Sequence, residues 1–276
     1  MDVQYNDTFN RIANTVKIEV MEAGLADLGR EWRSEDMCSP YSRLYYVISG
    51  AGYLRLRGGE GKETEVFTMR PGYLYLIPNG LSYDFFCEER LEKVYFHIHV
   101  SLQNGLELFY GCKNYYELQM GDEIIDRMKQ WITSDRPEDY FHMQGEIYHA
   151  VASFMNVAGL EAKVNQNYSE MVARLFVLLP KLKVSVSVRD MAKMLNVSES
   201  TLAKHFKKET GMSIGEYREQ LVMGRARQLL ALGKLSVGEI AEELGYCDQF
   251  YFSRYFKEHQ GITPSAYKQR YTGIIQ

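Results

Sequence analysis

From about residue 11 to residue 100, short apolar and aromatic runs alternate with turn-forming clusters. Tyr45-Tyr46-Val47-Ile48-Ser49 ends at Gly50-Ala51-Gly52, and Tyr53-Leu54-Arg55-Leu56-Arg57 then alternates with a period of two up to Gly58-Gly59. Val66-Phe67-Thr68-Met69 runs into Pro71-Gly72, Tyr73-Leu74-Tyr75-Leu76-Ile77 runs into Pro78-Asn79-Gly80, and 94–100 is a further strand-like run. Short strands punctuated by Gly and Pro predict a small barrel or sandwich.

After Leu102 the apolar spacing becomes helical. Ile124, Met128 and Trp131/Ile132 share one stripe, and Ile147, Val151, Phe154 and Met155 form a longer one that starts near Tyr140. This predicts a helix pair packed on the sheets, with part of the 140–158 face a candidate dimer seam. Residues 159–168 are polar and read as a linker. From 169 onward the pattern is helical throughout, with repeated start signals. Ser187, Ser213 and Ser236 each precede an acidic residue by three positions, and Thr263-Pro264 puts Pro at a first helical position.

The basic half repeats itself. Ser187, Val188, Asp190, Ala192 and Leu195 recur 49 positions later as Ser236, Val237, Glu239, Ala241 and Leu244. Leu202, Phe206, Lys207, Gly211, Ser213 and Tyr217 recur 50 positions later as Phe252, Phe256, Lys257, Gly261, Thr263 and Tyr267. Each unit reads as helix, tight turn, helix. The first has a short helix over 188–195, a turn at Asn196-Val197 and a helix capped by Ser198. The second has a short helix over 237–244, a turn at Gly245 and a helix capped by Asp248. Asn and Gly both tolerate a left-handed backbone. This is helix-turn-helix design, in which the second helix can enter a major groove. The stripe of 213–232 predicts a spacer helix of ~30 Å at ~1.5 Å per residue, close to the ~34 Å between successive groove faces.

Charge supports the same division. The 276 residues carry a net −4, but 169–276 hold 16 Lys and Arg against 11 Asp and Glu, so the rest of the chain is acidic. Such asymmetry points to a polyanion partner for one end. Lys204, Lys207 and Lys208 fall on the first reading helix, Arg254 and Lys257 on the second, and Arg225 and Arg227 on the spacer; all are candidate phosphate contacts. Hydrophobic residues are 46% and charged residues 25%, which excludes collagen-like and largely disordered chains. The four cysteines, Cys38, Cys87, Cys112 and Cys247, lack zinc spacing and read as reduced thiols of a cytoplasmic protein. The amino terminus lacks the basic and apolar regions of a signal peptide, and no apolar run is long enough to cross a membrane.

Residues 187–270 resemble the DNA-binding domain of the AraC/XylS transcription regulators. The resemblance is carried most specifically by Ile240-Ala-Glu-Glu-Leu-Gly-Tyr-Cys-Asp-Gln-Phe-Tyr-Phe-Ser-Arg-Tyr-Phe-Lys and by Gly261-Ile-Thr-Pro-Ser-Ala-Tyr267-Lys-Gln-Arg270. It implies DNA-facing residues Ser200, Ala203, Lys204 and Lys207 in the first unit. In the second unit it implies Gln249, Phe250, Tyr251, Ser253 and Arg254. Arg254 suits guanine and Gln249 adenine, whereas Ala203 offers only a methyl contact. Leu202, Phe252 and Phe256 are core by the same alignment.

The strand-rich half resembles a cupin barrel, and Gly72-x5-Pro78-x-Gly80-x2-Tyr83 matches the second cupin motif except that Tyr83 replaces a metal-binding His. Arg43 stands where the first motif has an acidic ligand, seven residues before Gly50, and no His-x-His precedes it. A metal centre is therefore not expected, and a metal-dependent enzyme is disfavoured. What remains is a cavity with altered walls. By resemblance to the sensor barrels of this family, the effector-binding candidates are Arg33, Arg43, Tyr83, Phe85 and His97. Arg43 could grip a carboxylate or vicinal hydroxyls, and the tyrosines could stack on a sugar ring.

The expected fold is α+β with two domains. Residues 1–160 form a cupin-like barrel with appended helices for effector binding and dimerisation, and 161–170 a linker. Residues 171–276 form an all-α double helix-turn-helix with units at 188–210 and 237–259. The expected function is a sequence-specific DNA-binding regulator, not an enzyme, without a cofactor. Its expected partners are double-stranded promoter DNA, RNA polymerase, a second copy of itself, and a sugar or small organic acid as effector, with no membrane. A metal-independent cupin enzyme or a protein-partner sensor fused to the DNA-binding domain stays open, as does activation against repression.

Overall fold

The computed structural model describes residues 16–56, 66–102, 104–164 and 168–272. The Gly58-Gly59 turn expected from the sequence lies outside them. The chain divides into two compact units, the first taking residues 1–102 and 107–165 and the second 103–106 and 166–276.

Two antiparallel sheets build the first unit. The larger contains β1 (Val16–Leu28), β8 (Leu91–Leu102), β3 (Ser42–Gly50), β6 (Tyr73–Ile77) and β9 (Tyr116–Gln119), in that order. The smaller contains β2 (Arg33–Cys38), β7 (Ser82–Phe86), β4 (Gly52–Leu56) and β5 (Val66–Met69). Strand β9 pairs with β6 and falls where helical spacing was expected. Tyr-Glu-Leu-Gln alternates over only four residues, too short a run to stand out against its surroundings.

Alternation gives the larger sheet two different faces. Leu44, Tyr46, Leu74, Leu76, Val94, Phe96 and Ile98 lie on one face, in a core shared with two helices, α1 (Asp122–Ile132) and α2 (Pro137–Val157). From those helices come Met128, Ile147, Val151 and Phe154, all buried. Burying each such side chain contributes about 1.5–3 kcal/mol. This face is the stripe anticipated from 124–132 and 147–155. The opposite face turns toward the smaller sheet and carries the barrel's polar residues. A short helix, α3 (Glu161–Val164), follows.

The second unit is all-helical: α4 (Glu170–Leu178), α5 (Val188–Met194), α6 (Glu199–Thr210), α7 (Ile214–Leu232), α8 (Val237–Glu243), α9 (Gln249–Gln260) and α10 (Pro264–Thr272). The start signals act as expected. Ser187, Ser198, Ser213, Ser236 and Asp248 each accept a backbone N–H of the first turn, and Ser213 and Ser236 form full capping boxes with Glu216 and Glu239. The turns are left-handed at Asn196, with φ 57°, and at Gly245, with φ 84°. The four cysteines are free. Among the described residues no helix is long and apolar enough to cross a membrane.

Candidate functional site

The repeat reappears as duplicated geometry. In the first unit Phe206 and Tyr217 meet edge to face at 5.2 Å and 86°; in the second Phe256 and Tyr267 do so at 5.3 Å and 85°. Lys207 and Lys257 offer their carbonyls to Gly211 and Gly261 at 2.9 and 2.8 Å, closing α6 and α9 with the same left-handed glycine. Leu202, Phe206, Phe252 and Phe256 are fully buried. One face of each second helix is thereby pinned to its own core, and the other is left to solvent.

That outer face holds the sequence-predicted readers. On α6, Ser200, Ala203, Lys204, Lys207 and Lys208 are exposed. On α9, Gln249, Phe250, Tyr251, Arg254 and Lys257 are exposed and Ser253 is half-buried. Phe250 leaves 70% of its surface in water, unusual for so apolar a side chain. Tyr251 is steadied by the rings of Tyr246 and Tyr255, at 5.9 and 6.1 Å. Gln249 leans back over α8, its Oε1 only 2.9 Å from where a Cβ on Gly238 would lie. An adenine contact requires that amide to swing outward.

The helix starts differ. Ser198 Oγ accepts from Thr201 N at 3.1 Å and lies 3.0 Å from Ser200 Oγ, a neutral cap. The Asp248 carboxylate accepts from both Phe250 N and Tyr251 N at 3.0 Å, so an anion closes the start of α9. The spacer α7 has 19 residues, about 28 Å at ~1.5 Å per residue. Its two arginines differ. Arg227 is buried and reaches Gln260 at 3.4 Å, and Arg225 pairs with Glu243 at 3.1 Å. Arg227 thus serves packing within the unit, whereas Arg225 stays exposed beside its partner.

Between the sheets, four of the five effector candidates come together. Arg43, Tyr83, Phe85 and His97 are all buried, with Arg43 directly opposite His97 across β3 and β8. Arg33 does not join them. It pairs with Phe86 on the outward register of β2 and β7 and is exposed, beside an open pocket lined by Arg30, Phe86, Cys87, Glu88 and Glu89. Its parity opposes that of Tyr83 and Phe85, which the sequence alignment alone did not expose. Aromatic rings line this interior: Tyr41 stacks on His97 at 4.5 Å, and Trp32 packs against Phe85 at 4.5 Å.

Sequence reasoning missed Lys93 and Glu22. Lys93 shares the face of Tyr95 and His97 by period two, so the signal was present. Its ammonium sits 3.3 Å from the Tyr45 ring centroid and 3.9 Å from that of Trp32. Glu22, on β1, accepts from Tyr95 O–H at 2.9 Å and is 2.8 Å from His97 Nδ1. Burial pushes the His97 imidazole down to about 4, against the pull of Glu22. A neutral ring facing a carboxylate carries its proton on Nδ1. The His97 contact is the largest of the influences holding Glu22 below the usual carboxylate range. His99 is held by its own glutamate, Glu107, at 2.7 Å. Among the described residues no group of three His, Cys, Asp or Glu could hold a metal ion.

Comparison with known proteins adds the following. A helix-turn-helix domain family matches residues 191–270. The chain is 25% identical over 239 residues to the Msm operon regulatory protein of Streptococcus mutans, covering 82% of this chain and 83% of that one. It is 23% identical over 273 residues to the lactose operon transcription activator of Staphylococcus xylosus, covering 92% and 95%. Over 77 residues it is 39% identical to the HTH-type transcriptional activator RhaR of Pectobacterium carotovorum, covering 28% of this chain and 27% of that one.

Proposed function

We infer that this chain, a DNA-binding transcription regulator of the AraC/XylS type, reads promoter DNA with the exposed faces of α6 and α9 and answers a small-molecule effector taken up between the sheets of its barrel. The observation that carries the DNA reading is the pairing of duplicated, fully buried cores with outer faces that differ in chemistry. Matching cores position two helices alike, and different faces let each read its own stretch of sequence. Lys204, Lys207 and Lys208 supply phosphate attraction on α6, while Arg254 offers a forked donor to guanine on α9.

The effector reading rests on Arg43, Tyr83, Phe85 and His97 converging behind a polar sheet face. Regulation of a sugar operon is suggested by the name of one relative that spans most of the chain, a lactose operon transcription activator. The effector shifts promoter binding only if it binds the two DNA-binding states unequally. The unit also pairs with a second copy through α2, whose outer face exposes Tyr140, Tyr148 and, to 72%, Phe141. The output contact is RNA polymerase, and the place of action is the cytoplasm.

The test is binding of the full chain to its own promoter fragment against random DNA, over a salt series, with a thermal-shift screen of sugars and small acids alongside. Preference for the promoter that weakens with salt and falls in Arg254→Ala supports the reading. Equal affinity for random DNA, with and without every effector tried, ends it. Sedimentation of wild type against Phe141→Ser tests the dimer.

A further inference from the structure

Arg43 and Lys93 face the barrel interior and are each only 2% exposed. Arg43 lies opposite His97, and two steps along the same register pair Tyr45 lies opposite Tyr95 and Val47 opposite Lys93. A guanidinium stays charged in proteins. The donors of Arg43 meet only neutral acceptors: Tyr45 O–H at 3.0 Å, Ser39 Oγ at 3.5 Å and Met37 Sδ at 3.8 Å. The Lys93 ammonium rests on the Tyr45 and Trp32 rings, with no ion pair among the described residues. Among the described residues the carboxylates nearest this face are already engaged, Glu22 by His97 and Tyr95 and Glu107 by His99, and neither bonds Arg43 or Lys93 directly.

Interiors rarely keep a charge without a partner, because removing it from water is costly and neutral contacts do not repay the loss. Methionine or leucine would fill the position of Lys93 without that cost. We propose that the barrel interior is built for a small organic anion. Its carboxylate or phosphate is held between Arg43 and Lys93, and its ring packs on Trp32, Tyr41 and Phe85. This rests on the effector reading above and narrows it, since a neutral sugar would leave both cations unpaired. A carboxylate or phosphate offers the paired oxygens that a guanidinium fork matches. Burial, and then the neighbouring Arg43, push the Lys93 amine well below its usual range, and a bound anion would push it back up.

The experiment titrates the full chain with matched pairs: galacturonate against galactose, glucose 6-phosphate against glucose, and benzoate against benzyl alcohol. Calorimetry gives the affinities, and thermal melting follows the fold. The acidic member of at least one pair should bind about tenfold tighter or better than its neutral partner. The galacturonate and phosphate arms separate a carboxylate from a phosphate ligand. Lys93→Met should erase that preference and raise the melting midpoint of the ligand-free chain, because an apolar side chain replaces a desolvated amine that has no ion-pair partner. Arg43→Gln is the second variant, judged by the same loss of preference.

Neutral members binding as well as acidic ones, or a preference that survives both substitutions, overturns the anion assignment and leaves the effector reading standing. No binding by any member, in a chain that still melts cooperatively, overturns both.

Discussion

The two reading helices, α6 and α9, are copies inside and strangers outside. Within the core, Phe206 and Tyr217 meet as Phe256 and Tyr267 do, to within a tenth of an ångström and a degree. At the surface α6 shows lysines among small side chains behind a neutral serine cap. In contrast, α9 shows Phe250, Tyr251 and Arg254 behind an anionic Asp248 cap. A packed core tolerates little change of volume, so duplicated positions stay duplicated. A solvent face has no such constraint and is free to acquire separate chemistry. On the proposed reading, that difference would give electrostatic grip mainly to the first unit and base discrimination mainly to the second.

The largest test of that comparison is in the cores. Phe206→Ala and Phe256→Ala should each destabilise by about 3–5 kcal/mol, and by similar amounts. Denaturant unfolding followed by far-ultraviolet ellipticity reads the helices, while fluorescence of Trp32 and Trp131 reads the first unit alone. A large inequality between the two variants would mean that the units are not equivalently packed.

The turns give the next effect. Asn196 and Gly245 occupy matching left-handed positions, but a Cβ on Gly245 would lie 2.8 Å from Lys183 Cβ and 3.1 Å from its Cα. Gly245→Asn should therefore cost about 1–3 kcal/mol of stability, whereas Asn196→Gly should stay within ~1 kcal/mol. Thermal melting of both variants decides it, and equal costs would show that Lys183 gives way freely.

On DNA, Arg254→Ala should weaken specific binding by about 1–3 kcal/mol and relax preference at one position. Lys207→Ala should weaken binding to all sequences alike and lower the salt slope by about 1. Filter binding of randomised sites at several salt concentrations separates the two, and interchanged behaviour would reverse the division of labour.

The caps give the smallest effect, with opposite signs on DNA. Ser198→Ala and Asp248→Ala should each cost about 1 kcal/mol of stability. Asp248→Ala should also tighten binding at low salt, because it removes a negative charge from the approach to phosphate. Loss of affinity in that variant would place Asp248 among the positioning groups.

Much of the second unit was legible in the residues. The repeat, the serine and aspartate caps and the left-handed Asn196 and Gly245 fall where spacing put them, and Leu202, Phe252 and Phe256 are buried as the family resemblance implied. The reason is range. A cap spans three residues and a helical stripe four, so the interactions that fix them are written side by side in the chain.

The first unit was legible as strands and turns but not as a chamber. Lys93 and Arg43 are fifty residues apart in sequence; the register of β3 on β8 puts them on one face, where both reach Tyr45. Arg33 was placed with Tyr83 and Phe85 by resemblance, but strand pairing turns its side chain to the opposite face. Arg227 looked free on an isolated helix but is buried against Gln260 once the helices pack, while Arg225 stays exposed beside Glu243. The sequence by itself thus determined the helical reader, whose energies are local. Only the tertiary structure decided what faces the barrel interior, because a one-residue difference in strand pairing exchanges inside for outside.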